Sequence, residues 1–251
     1  MVKTIDITNF CNDRVKIHEV QDFPRAFNGL QVQNDGEVKK IGAAVDAGLE
    51  PFKSAIKKGV DFLIVHHGLF WTPPTPLTGP NYSKVEHCLS YNLAVYGAHL
   101  PLDCHPEIGN NAIIAAKLSL EFHSTFLPFE GNDIGLIADC PLRREDLHSQ
   151  LKIIFPQGIK AMEFGSSNPS KVAILSGSGQ SAVNKILDAG SDTLVTGELK
   201  QEHFNLAQEL GLNLYACGHY ATEKFGVDAL AKEVAERFNL PYEFVESDCP
   251  L

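Results

Sequence analysis

The stretch FLIVHHGLFW, residues 62–71, runs a strand's worth of apolar side chains into two adjacent imidazoles, His66 and His67. One histidine capping the strand beside another facing solvent is the ordinary reading of such a pair, so the rest of the chain must decide. Two later stretches repeat the theme. NLAVYGAHLPLD (92–103) and NLYACGHYATE (213–223) each lead an apolar strand into glycine, then a histidine, then a carboxylate four residues on: His99 with Asp103, His219 with Glu223. Imidazole and carboxylate together, with no thiolate at the matching positions, suit borderline divalent ions such as Zn, Mn, Fe, Co or Ni. Six such donors exceed the needs of one tetrahedral ion. They match two ions sharing a carboxylate, roughly 3.5–4 Å apart, the arrangement that acidifies a water and clamps substrate oxygens in many hydrolases.

Each donor also has a plainer reading. Pro101 in AHLPLD makes the spacing from His99 to Asp103 a loop rather than a helical turn, which places His99 either among the ligands or just behind them. His219 and Glu223 straddle a helix start expected at Thr222, where a glutamate gains dipole stabilisation with or without a metal. In TGELKQEH, Glu198 and His203 stand near the same strand end and are the candidates for moving protons at the site. His87, His105, His123 and His148 have no repeated context and read as surface or core histidines.

The elements that must carry these residues form a strand–helix–strand rhythm, read over KIGAAVDAG, LEPFKSAIKKG and VDFLIVHHG. The second half repeats it: residues 171–198 align with 40–67 without a gap, placing Gly48 on Gly179, Gly59 on Gly190, Asp61 on Asp192 and Leu63 on Leu194. His66 and His67 then fall on Gly197 and Glu198, so any shared site is pseudo-symmetric. The fold class predicted is α/β: two similar halves related by internal duplication, with parallel-rich sheets flanked by helices. The polar pairs belong at the carboxyl edge, where open α/β sheets bind ligands. Domains are predicted at 1–124 and 166–251, joined by 125–165, which reads as strands about the EGND turn and a helix from near Arg144. TPPTPLTGPNYS (72–83) is expected to be an extended loop able to cover a site. SGSGQS (176–181) is either a tight turn or an anion cradle. A final helix over 222–238 lines up Val227, Leu230, Ala231, Val234 and Phe238 for core packing.

Composition narrows the function classes. The 251 residues are 44% hydrophobic and 21% charged, the balance of an ordinary soluble globular protein with no membrane span. The first fifteen residues lack the apolar stretch of a signal peptide, so a cytoplasmic protein is expected. Six scattered cysteines without a CxxC give neither a disulfide framework nor a thiolate zinc site. A net charge of −10 disfavours nucleic acid as a partner.

Taken in order, HHGLFW, GAHLPLD, SGSGQS, TGELKQEH and GHYATE resemble the YbgI-like, NIF-three-like family of dinuclear-metal proteins, whose members are often catalogued as type-two GTP cyclohydrolase I homologues. The resemblance spans nearly the whole chain and is to the short form, since 122–165 leaves no room for an inserted domain. It implies two α/β halves enclosing a two-metal site, and a toroidal homohexamer with the sites facing inward. It also implies metal ligands at His66, His67, Asp103, His219 and Glu223, with Asp103 and Glu223 bridging and His99 at a neighbouring polar position. The first function expected is a metal-dependent hydrolase of a nucleotide-like or cyclic amide substrate. The alternative is a non-enzymatic, ring-shaped regulatory or scaffold protein that holds metal and binds a protein or nucleic-acid partner. A third reading keeps the metals for folding alone, in which case a chelator would melt the protein.

Overall fold

The computed structural model describes residues 2–24, 26–70 and 75–250. In chain order the elements are β1 (Val2–Lys3), α1 (Thr4–Val15), β2 (Gly29–Val32), β3 (Glu37–Val38), β4 (Ile41–Asp46), α2 (Leu49–Lys57), β5 (Phe62–His67), α3 (Gly79–Ser90), β6 (Ala94–Gly97), α4 (Leu100–Asp103) and α5 (Asn110–Lys117). They continue with β7 (Glu121–Phe129), β8 (Asn132–Asp139), α6 (Arg144–Ile154), β9 (Lys160–Glu163), β10 (Lys171–Ser178), β11 (Thr193–Glu198), α7 (Glu202–Leu210), β12 (Asn213–Ala216), α8 (His219–Phe238) and β13 (Tyr242–Phe244). By contacts the chain divides into two units: Met1–Leu102 with Gly226–Asp248, and Asp103–Phe225 with Cys249–Leu251.

Unit 1 is built on a sheet ordered β13-β4-β5-β6-β2, in which β2 alone runs antiparallel to its neighbour. Phe62, Leu63, Ile64 and Val65 of β5 are all fully buried, as expected of a parallel strand covered on both faces. Leu63 and Val65 pack with Phe52 and Ala55 of α2 and Cys88 of α3. Phe62 stacks on Tyr96 of β6 at 6.2 Å, and the Tyr96 hydroxyl donates to Asn12 of α1 at 2.9 Å, so α1 covers the other face. Pro51 sits in the first turn of α2, where its missing N–H costs nothing. Burying Phe52 contributes roughly 1.5–3 kcal/mol.

Unit 2 has a six-stranded sheet ordered β7-β8-β10-β11-β12-β9, parallel only at β10-β11-β12. One face buries Val172, Ile174, Val195 and Tyr215 against Ile114 of α5 and Leu147 and Leu151 of α6. The other buries Ala173, Leu175, Leu194 and Leu214 against Val183, Ile186 and Ala207. The turn between β7 and β8 puts Glu130 at φ 46 and Gly131 at φ 88, the left-handed pair that matches hairpin twist.

The duplication is visible in detail. Each sheet contains one four-strand ladder, β4-β5-β6-β2 in unit 1 and β10-β11-β12-β9 in unit 2, with two parallel pairs and an antiparallel outer strand. Gly42 pairs with Leu63 as Ala173 pairs with Leu194. The aligned glycines Gly59 and Gly190 have φ 76 and 79, and each is followed by the same bond, from Val60 N to Ala55 O at 3.0 Å and from Ser191 N to Ile186 O at 2.9 Å. These are left-handed C-terminal turns that glycine adopts without steric cost.

Several expectations shift. Segment 125–165 does not stand apart: β8 pairs with β10 and α6 covers that sheet, so it belongs to unit 2. The chain from 226 returns to unit 1, where β13 pairs with β4 and Val245 joins the core. Residues 180–190 form successive turns rather than an α-helix. Of the proline-rich stretch 72–83, residues 72–74 lie outside the described residues, and 79–83 already belong to α3 rather than to an extended loop.

Candidate metal centre

In unit 1 the first donors come from two neighbouring strand ends. His66 and His67 close β5, and His99 follows β6 directly before α4. The ring centroids lie 4.9 Å apart for His66 and His67, 4.8 Å for His66 and His99, and 5.7 Å for His67 and His99. One ligand nitrogen from each lies within 4.8 Å of the others. Every Nδ1 has a fixed acceptor: Ala98 O at 2.9 Å from His66, Asp46 Oδ1 at 2.8 Å from His67 and Asp22 Oδ1 at 2.9 Å from His99. A neutral imidazole that donates from Nδ1 carries its lone pair on Nε2, the tautomer that metal-binding histidines use.

The supports of these rings come from places without a motif. Asp46 ends β4 directly across the ladder from His67. Asp22 lies in irregular chain and accepts also from Leu100 N at 3.1 Å, Asn28 Nδ2 at 2.8 Å and Phe23 N at 2.7 Å. Burial works to raise the Asp22 carboxyl, but the bond to His99, its charge, and the bonds from Asn28 and Phe23 outweigh it and hold the group below the usual range. Gln31 accepts from Leu69 N and donates to Phe27 O, both at 2.6 Å, and lies where a Cβ on Gly68 or Gly97 would strike its amide.

In unit 2 the candidate residues are His219, Glu223 and Asp103. His219 is the first residue of α8 and Glu223 stands one turn on, so the pair shares one helical face instead of straddling a start at Thr222. Gly218, at φ 97, makes the turn into the helix, and Thr222 Oγ1 bonds back to Gly218 O at 2.9 Å. His219 Nε2 is 3.2 Å from Glu223 Oε1 and its Nδ1 is 3.3 Å from Glu198 Oε1. The hydrogen bond to Glu223 pushes the imidazole up to about 9, with burial opposing and Glu198 adding to the rise. An oxygen of Asp103 lies within 4.8 Å of one of Glu223. Asp103 Oδ1 accepts from Asn110 Nδ2 at 2.7 Å and Ser176 Oγ at 3.2 Å. The expected loop between His99 and Asp103 is instead the short helix α4, with Pro101 in a first turn that needs no N–H from it.

SGSGQS proves to be packing. Its Ser176 N donates to Asn111 Oδ1 at 2.7 Å, Gly177 N to Thr222 Oγ1 at 3.0 Å and Gly179 N to Glu198 O at 3.2 Å. These N–H groups are spent inside the fold and do not cradle an anion. Gly177 has φ 63, and a Cβ there would land on Glu223 Oε1 and 3.1 Å from His219 Nε2; glycine keeps the cradle of these donors open. Glu198 reaches the site through His219. His203, at the start of α7, turns its Nδ1 to Lys200 N at 3.0 Å and joins no three-donor group among the described residues.

The three oriented imidazoles of unit 1 form a donor group able to hold a metal ion, and in unit 2 His219 and Asp103 each lie close to Glu223. They fit borderline divalent cations by chemistry. The family model of Duf34/NIF3 (NGG1p interacting factor 3) matches residues 2–250. The chain belongs to that family. A relative from Deinococcus radiodurans, called GTP cyclohydrolase 1 type 2 homolog, is 39% identical over 222 residues, 88% of this chain and 84% of its own. One of the same name from Archaeoglobus fulgidus is 38% identical over 242 residues, 96% of either chain. Among solved structures, TTHA1606 from Thermus thermophilus superposes with a TM-score of 0.88 at 35% identity over 100% of both chains. Protein ybgI, described as of unknown function, gives 0.91 at 31% identity, again over 100% of both. No helix among the described residues is long and apolar enough to cross a membrane.

Proposed function

We propose that this protein is a metal-dependent hydrolase whose six donors, His66, His67, His99, Asp103, His219 and Glu223, hold two divalent cations, and that it acts on a nucleotide-like or cyclic amide substrate. The observation that carries the reading is the set of three imidazoles in unit 1, each tied at Nδ1 by a fixed acceptor. Isolated core histidines have no need of such matched orientation. The name of the relatives, GTP cyclohydrolase 1 type 2 homolog, supports the substrate class.

Bound cations would supply Lewis acidity and an acidified water. The chain's own residues do the rest. Ala98 O, Asp46 and Asp22 hold the three Nδ1 protons, leaving Nε2 as the donor. Glu198, half-exposed beside His219 Nδ1, is placed to take a proton from that nitrogen and pass it to solvent. His203, which bonds Lys200, has a structural rather than a proton-moving part. The reading includes the homohexameric ring that the resemblance implies, and a cytoplasmic location.

Metal analysis of protein reconstituted with Zn, Mn, Fe, Co or Ni, together with turnover of GTP and of cyclic amides, tests this. Two ions per chain and turnover are expected, with His66→Ala and Glu223→Ala each losing at least one ion and about 100-fold or more in activity. Full activity in both variants would end the assignment. Two ions held without turnover would favour the metal-holding, non-enzymatic alternative.

A further inference from the structure

We infer that Asp22, a residue outside every motif of the chain, is the positioning residue that selects the His99 tautomer and aims that ring at a cation. The role of His99 as a ligand rests on the function proposed above; the tautomer does not. The three imidazoles are not supported alike. His66 leans on Ala98 O, one residue past β6, and His67 leans on Asp46, its partner in the β4–β5 ladder, so both inherit their aim from regular sheet. His99 lies past the end of β6 and before α4, where no ladder fixes it.

Asp22 supplies what the sheet does not. Its side chain is only 5% exposed. One carboxylate accepts from the ring, at 2.9 and 3.1 Å to its two oxygens, and from Leu100 N at 3.1 Å. Asn28, which donates to Asp22 at 2.8 Å, accepts from His99 N at 2.7 Å. Ring and main chain on both sides of His99 are thereby tied to a single group. Phe23 lies against the His99 ring at 5.8 Å and blocks one direction of swing. An ionised carboxylate accepts and never donates, so Nδ1 must carry the proton and Nε2 the lone pair. An asparagine would offer one acceptor and an NH2 that faces a donor.

Nitrogen-15 NMR of the metal-free chain at mildly alkaline pH reads this directly. His99 is expected as the Nδ1–H tautomer in the native protein, mixed or inverted in Asp22→Asn, and restored in Asp22→Glu, with the His66 and His67 signals unmoved. Titration with Co(II) then reads the consequence: one of the two ions binds about 10- to 100-fold more weakly in Asp22→Asn, with an altered ligand-field spectrum. His99 protonated on Nε2 in the native protein would overturn the inference, even if Asp22→Asn did not fold. So would an Asp22→Asn protein matching the native tautomer and Co(II) spectrum. Native protein that takes up no Co(II) would sink the two-metal reading while leaving the tautomer result to decide the part of Asp22.

Discussion

Gly177 shows how a residue without a side chain can define a site. At φ 63 its backbone sits in the left-handed region, and the space a Cβ would fill is taken by Glu223 and bordered by His219. Gly177→Ala should cost about 1–2 kcal/mol for the backbone alone and displace the carboxylate as well. Loss of metal binding together with a lower urea midpoint is expected; a variant that binds metal like the native chain would show that the cradle has slack. The metal-candidate histidines themselves were legible from sequence, because two imidazoles closing an apolar run add nothing to the packing of the strand that carries them. Asp46 was within reach, as the polar end of an apolar strand. Asp22 was not: it sits in QDFPRAFN, without period or repeat, and its importance exists only once folding brings it 77 positions along the chain to His99.

At the level of elements, the edge strand β9 is fastened by a carboxylate that makes it acid-sensitive. Glu163 accepts from His148 of α6 at 2.8 Å and from the Tyr215 hydroxyl of β12 at 2.9 Å. Burial works to raise its carboxyl, yet these bonds and the His148 charge prevail and hold it below its usual 4.5. A carboxylate depressed in the folded state stabilises fully above its unfolded value and loses that contribution as pH falls through the folded one. Glu163→Gln should therefore be less stable than the native protein near neutrality, with the two urea midpoints converging below about pH 4.5. Midpoints that stay equally far apart into acid would show that the charge of Glu163 is not what fastens β9. The βαβ rhythm and the aligned glycines could be read from sequence because each strand is a continuous apolar run closed by a glycine in a left-handed turn. The start of α8 could not. Thr222 has the chemistry of an N-cap, but its hydroxyl serves Gly177 N and Gly218 O, and the helix begins at His219. Register also moved one histidine. Ala98 N and Cys217 N make equivalent bonds, to Val65 O and Thr196 O, so His99 stands one residue past Ala98 and His219 two past Cys217, with Gly218 between.

On the scale of the whole molecule, the two units differ in how the chain composes them. Unit 2 is essentially one continuous run, Asp103–Phe225, whereas unit 1 needs Gly226–Asp248 to finish its sheet with β13 and its core with Val245. Nothing in residues 226–248 announces which sheet they will join. Protein synthesis adds an order of events. The amino-terminal half of a nascent chain ordinarily matures first; here its sheet waits, open along β4, until β13 has been translated, after the continuous run of unit 2. Arrest-peptide force measurements on ribosome-bound chains should show the first strong pull once residue 225 has emerged and a second only after 245, and a strong pull before residue 120 would contradict that order. The exposed edge of β4 in the interval is a natural place for a chaperone to act, or for two growing chains to exchange their β13 strands.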